Sequence, residues 1–206
     1  YALNELAQRK LAQDAADAKA QAAAAADAAR NQVYVDLKEG VNPETTYQQA
    51  RKAGVLTDID HIQKAETIMK ERDKVDNDYN VGVDLMQGGA ANPYSKDHRD
   101  GIDALYTRQV KSGADPAVVA GSIFNRTGMV APKFGVALRG ALASNDAEKY
   151  GAGVMTAANM LRSNPNAFAG VDGGADLEKS AFEFRRLTEG LGMSTEQAAQ
   201  RVVRDA

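Results

Sequence analysis

The chain has 206 residues, a formal net charge of −3, no cysteine and no tryptophan, and only 6% aromatic residues. That length admits one large domain or two small ones, and the missing cysteine excludes disulfides and thiolate metal sites and fits a reducing compartment. A net negative charge argues against a phosphate-binding surface, which needs lysine and arginine in excess on one face.

Hydrophobic residues make up 44% of the chain, with alanine dominating them. Such a core buries little area per residue, and its helices gain instead by close backbone approach. Residues 1–38 form one helical pattern without glycine or proline. Leu3, Ala7, Leu11, Ala15, Ala18, Ala22, Ala26, Ala29, Val33 and Leu37 follow one stripe in steps of three and four. The rest of that surface carries Arg9, Lys10, Asp14, Asp17, Lys19, Asp27 and Arg30, both signs interspersed. An alanine-rich stripe has high helix propensity but gains little from burial, so it needs neighbouring helices. It reads either as a plain packing helix or as a helix for self-association.

Glu39-Gly40 ends this helix, and Asn42-Pro43 starts another, with Asn42 as cap and a stop at Gly54. Asp58 caps a third helix reaching Gln87, with Ile59, Ile62, Ala65, Ile68 and Met69 on its apolar face and an acidic run from Glu71 to Asp84. Ser95 caps the next, whose inner face is Ile102, Leu105, Tyr106 and Val110. Asp115-Pro116 starts a short helix ended by Gly128. Helices then follow over 132–143, over 146–162 with Asn145 as cap, and over 176–191, opened by Gly173-Gly174. Pro165 drives the residue before it out of the α region and so stops the middle one. Ser194 and Gln197 form a capping box for a last helix to Arg204. Nothing alternates long enough to be a strand, so the expected fold is all-α: a long alanine-rich N-terminal helix followed by an irregular multi-helix bundle. The expected organisation is an extended helical region over 1–87, a linker over 88–94 (the break Gly88-Gly89-Ala90-Ala91-Asn92-Pro93 and Tyr94) and a compact helical unit over 95–206. Leu138, Leu142, Met155, Leu161, Phe168, Phe182, Phe184 and Leu187 are the expected core of that unit.

The search for chemistry yields no catalytic, cofactor-binding or metal-ligating residue. His98 stands among Asp97, Asp100 and Asp103, but these do not match a calcium loop and read as a polar helix start. Gly151-Ala152-Gly153 opens like a dinucleotide fingerprint, yet it follows no strand and lacks the third glycine. Asn125-Arg126-Thr127 is a formal glycosylation sequon with no sign of a secretory setting. Leu85-Met86-Gln87 resembles part of the "GLMQ" motif of lytic transglycosylases, with Glu66 upstream at a similar distance. Thr67 stands where that family has serine, and the family's glycine-containing turn is replaced by "DKVDNDYNVGVD". A catalytic glutamate needs a cleft and a raised pKa, and an acidic helix face offers neither.

No apolar run approaches the ~20 residues that cross a bilayer as a helix. No signal peptide is visible, and Tyr1 begins within a helical pattern without methionine, as expected of a segment of something longer.

Residues 128 to 204 resemble a segment of large phage internal virion, or ejection, proteins, some of which carry a lytic transglycosylase domain elsewhere. The blocks that carry the likeness are "ALRGALASND", "NPNAFAGVDGGADLEKSAFEFRRL" and "LGMSTEQAAQRV". The resemblance implies a helical structural segment, located in the virion and then in the host cell envelope after ejection, that helps form a conduit for the genome. It implies a homo-oligomer, contacts with portal, core or tail components and with the host envelope, and no sequence-specific binding of nucleic acid. Two other readings stay open: a peptidoglycan-degrading virion protein with its active site outside this segment, and a helical scaffold with no phage role.

Overall fold

The computed structural model describes residues 2–205, with side chains from residue 7 to residue 203 and at Glu5. Among them the chain is all-α. The helices are α1 (Ala2–Glu39), α2 (Pro43–Lys52), α3 (Ile59–Met86), α4 (Lys96–Lys111), α5 (Pro116–Thr127), α6 (Pro132–Leu142), α7 (Ala147–Ser163), α8 (Gly174–Arg185) and α9 (Thr195–Asp205). A π-helical turn, Arg186–Gly190, continues α8.

The helix boundaries follow local chemistry. Asp115 accepts from the amides of Ala117 and Val118 at 2.9 and 3.0 Å, with Pro116 in the first helical position, where its lack of an N–H costs nothing. Ser194 Oγ accepts from the Gln197 amide while Gln197 Oε1 accepts from the Ser194 amide, the reciprocal pair of a capping box. The cap of α7 is Asp146, which accepts from Glu148 and Lys149, and not Asn145. A carboxylate at that point also meets the positive end of the helix dipole. Asn42 occupies the cap position of α2, but its side chain makes no capping bond; its carbonyl accepts from Thr46 instead. Asn164, before Pro165, is extended and ends α7.

Two compact units divide the chain, residues 1–74 and 75–206. The division lies inside α3, upstream of the 88–94 stretch where composition shifts. The last turns of α3 are the reason: Leu85 is buried and Tyr79, Val81, Val83 and Met86 are part-buried against the larger core.

In unit 1 the last turns of α1 pack with α2 and the first half of α3 around Leu37, Ala50, Leu56 and Ala65. Arg72 donates to the Leu37 carbonyl at 3.0 Å, satisfying an acceptor near the end of α1. Tyr34 Oη lies 3.1 Å from His61 Nδ1, and Lys64 Nζ sits 4.4 Å over the Tyr34 ring. Ile59, expected on the apolar face, is exposed because it lies in the first turn of α3, where Leu56 from the preceding connection is the buried residue.

In unit 2, α7 packs against α6, α8 and α9. One core runs from Leu85 through α4, α5 and α6 to Phe168 and Leu177, and a second joins Tyr150, Val154, Phe184, Leu187, Ala198 and Ala199. Leu142 is part-buried against both. Leu138, Leu161, Phe168, Phe184 and Leu187 are buried as expected. Met155 and Phe182 are not: Phe182 is 62% exposed. On α8 the inward stripe is Leu177, Ala181 and Phe184, and Phe182 lies one residue, about 100°, off it. On α7 Met155 shares an exposed face with Ala152 and Asn159.

With so few large side chains, unit 2 holds together through backbone contact. At Gly82 of α3 an added Cβ would lie 2.3 Å from the Gly101 carbonyl of α4, and at Gly101 it would lie 2.9 Å from the Gly82 amide. These two helices cross with nothing between their main chains. Gly82→Ala should therefore lower stability by about 1–3 kcal/mol in urea denaturation followed by circular dichroism, since a backbone neighbour cannot yield as a flexible side chain can. Gly121→Ala, in α5 with no atom within 4 Å of the new Cβ, should instead raise it by about 0.5–1 kcal/mol. Equal effects at the two sites would refute the crossing.

Burial, reinforced by the negative charge of Glu183, pushes the Tyr150 phenol above its ordinary value of about 10. The folded state therefore holds the neutral phenol more firmly than the unfolded chain does. Its contribution is complete below that ordinary value and is lost as pH rises through the folded one. Tyr150→Phe should flatten the alkaline fall in stability; an unchanged slope would remove Tyr150 as a cause.

Candidate functional site

Most of the residues that the sequence raises for chemistry are engaged in local structure. Glu66 is exposed on α3 and accepts from the Tyr47 hydroxyl at 3.0 Å. Burial and that hydrogen bond raise the Tyr47 pKa. Leu85, by contrast, is a buried core residue of unit 2. His98 Nδ1 accepts from the Asn92 amide at 3.0 Å. Asp100 pairs with Lys96, Asp103 accepts from the Lys133 amide at 2.8 Å, and Asp97 is exposed. No group of three or more histidines and carboxylates converges for a metal ion among the described residues. Gly151 and Gly153 lie inside α7, where a Cβ at Gly153 would come within 2.7 Å of the Ala141 Cβ; they serve helix packing. Thr127 of the sequon donates to the Ile123 carbonyl and accepts from the Met129 amide, closing the end of α5.

What stands out is a surface. Every residue from Ala7 to Ala29 is exposed, although α1 runs on without interruption into the core of unit 1. Ala15, Ala22, Ala26 and Ala29 continue the face that carries Val33, part-buried, and Leu37, fully buried. Leu11, on the same stripe, is 69% exposed. Leu3 lies outside the described side chains. The apolar stripe is therefore a core-type face that the chain uses only at its C-terminal end. No described helix is long and apolar enough to cross a membrane.

Unit 2 carries a second open feature, a shallow groove of about 600 Å³ between α6 and α7. Phe134, Leu138 and Ala141 form one wall and Ala152, Gly153 and Thr156 the other. Ser144 and Thr156, its two hydroxyl residues, are both engaged with their own backbone: Ser144 Oγ accepts from the Asp146 amide at 3.1 Å, and Thr156 donates to the Ala152 carbonyl at 2.9 Å. Lys149 is the one charged residue lining it. Sequence patterns missed this groove because its walls come from two helices; the small residues at 141, 152 and 153 were the available signal.

No protein family, curated protein or solved structure matches the chain.

Purified chain should leave peptidoglycan as intact as a denatured control does, and Glu66→Gln should change nothing. Clearing that the substitution abolishes would make Glu66 a general acid.

Proposed function

We propose that this chain works by assembly and not by catalysis: it is a structural segment of a phage internal virion protein whose first helix is completed by other chains. The observation that carries the assembly reading is the exposed run from Ala7 to Ala29, a core-type stripe on a helix anchored at one end by Leu37, Arg72 and the Tyr34–His61 pair. A buried methyl contributes only about 0.8 kcal/mol, so such a stripe gains stability only where many turns pack densely against neighbours. The charges around it are mixed in sign, which suits packing between copies or lining a water-filled passage better than gripping DNA.

The virion setting rests on the resemblance of residues 128 to 204. In it, copies of the chain join portal, core or tail components, travel into the host envelope and help form a conduit for the genome. A head-to-tail contact between copies closes into a ring when its rotation permits.

Sedimentation velocity over a concentration series tests the assembly. The chain should associate, and a variant with Ala18→Glu, Ala22→Glu and Ala26→Glu should stay monomeric while keeping the helicity and melting of unit 2. A variant that associates as the parent does would overturn the assembly reading. Genes for portal and tail proteins beside this one would support the virion setting, and a purely cellular neighbourhood would contradict it.

A further inference from the structure

We infer that His98 is a pH-sensitive latch on the connection between α3 and α4, closed while its imidazole is neutral and released when the ring takes up a proton. The bond that carries this has one possible direction. Asn92 offers a backbone N–H, which can only donate, and its nitrogen lies 3.0 Å from His98 Nδ1. Nδ1 therefore holds a free lone pair, and the ring's single proton sits on Nε2. A second proton has to go on Nδ1, and two N–H groups would then face each other. The contact of the other histidine differs: the Tyr34 hydroxyl donates to a neutral His61 Nδ1 and accepts from a protonated one, so it survives at either charge.

The latch sits where the chain turns into α4. Asn92 Oδ1 accepts from the Tyr94 amide at 2.9 Å, and the Asn92 carbonyl accepts from the Ser95 amide. Ser95 Oγ then caps α4 by accepting from the His98 amide. Beside His98, Arg99 Nη1 donates to the Pro93 carbonyl at 2.8 Å, and Gly170, at a φ of +72°, packs against both partners. Arginine keeps its charge at every working pH, so Pro93 stays seated and the release pivots there, freeing the stretch that arrives from α3. On α4, Lys96 pairs with Asp100, and Asp97 is exposed. Tyr94 in the connection and Asp84 in the last turns of α3 are exposed, and beyond Gly170 Asp172 pairs with Arg139. A proton on His98 adds positive charge next to Arg99 and at the positive end of the α4 dipole, which favours release.

Nitrogen–proton NMR of the full chain from about pH 8 to pH 5, the range in which an imidazole gains its proton, tests the latch. At the upper end His98 should show the nitrogen shifts of a neutral ring protonated at Nε2. As pH falls, the Asn92 amide should shift with the midpoint of the His98 titration and lose about fivefold or more of its protection factor against exchange. Amides of α7 should not respond. His98→Asn places an oxygen, which accepts at every pH, where Nδ1 stands, so the Asn92 amide should then lose its pH response. An Asn92 amide that ignores the His98 midpoint would overturn the latch, as would a response unchanged in His98→Asn or a neutral ring protonated at Nδ1. The titration of the parent chain decides the matter even if the variant fails to fold.

Discussion

The crossing of α3 and α4 at Gly82 and Gly101 shows the constraint under which the whole chain is built. A protein with few aromatic residues and an alanine-dominated apolar fraction cannot fill wide gaps between helices, so it must bring main chains together. Here two glycines on facing helices do so with no side chain between them. The same solution recurs where Gly153 meets Ala141 and lets α7 settle on α6. Each such contact lies beside larger buried residues, Leu85 and Ile102 in one case and Leu138 and Val154 in the other. Thin cores of this type are intolerant of added volume at the crossing points.

In the first unit the constraint is met only in part. The end of α1 reaches α2 and α3 and buries Leu37, and among the described residues the alanines from Ala7 to Ala29 are exposed. The exposed part of the stripe continues the face that buries Leu37, and under the proposed reading other chains complete it.

Much of the fold was legible in residue order because its punctuation is local. Asp115-Pro116, Ser194 with Gln197, Pro165 and the glycine stops each act within a turn or two of themselves, and each marks a helix end. Phe182 and Met155 are large but face solvent, because one residue's rotation on a helix separates the inward stripe from the outer face. The division inside α3 was illegible for a different reason. A continuous helix can serve two cores in succession, and only tertiary contacts show where one ends. The stripe on α1 was visible as a pattern, but its exposure was not. The groove was legible only as small residues at 141, 152 and 153, since nothing in sequence pairs α6 with α7 at the register that Gly153 sets.

The claim that other chains complete α1 is tested most directly by amide hydrogen exchange read residue by residue at several protein concentrations. At low concentration the amides from Ala7 to Ala29 should exchange far faster than those of α7, whose inward face is buried. As concentration rises they should become protected, while the exchange of α7 stays constant. Protection of Ala7 to Ala29 that equals α7 at every concentration, or that never responds to concentration, would contradict the claim.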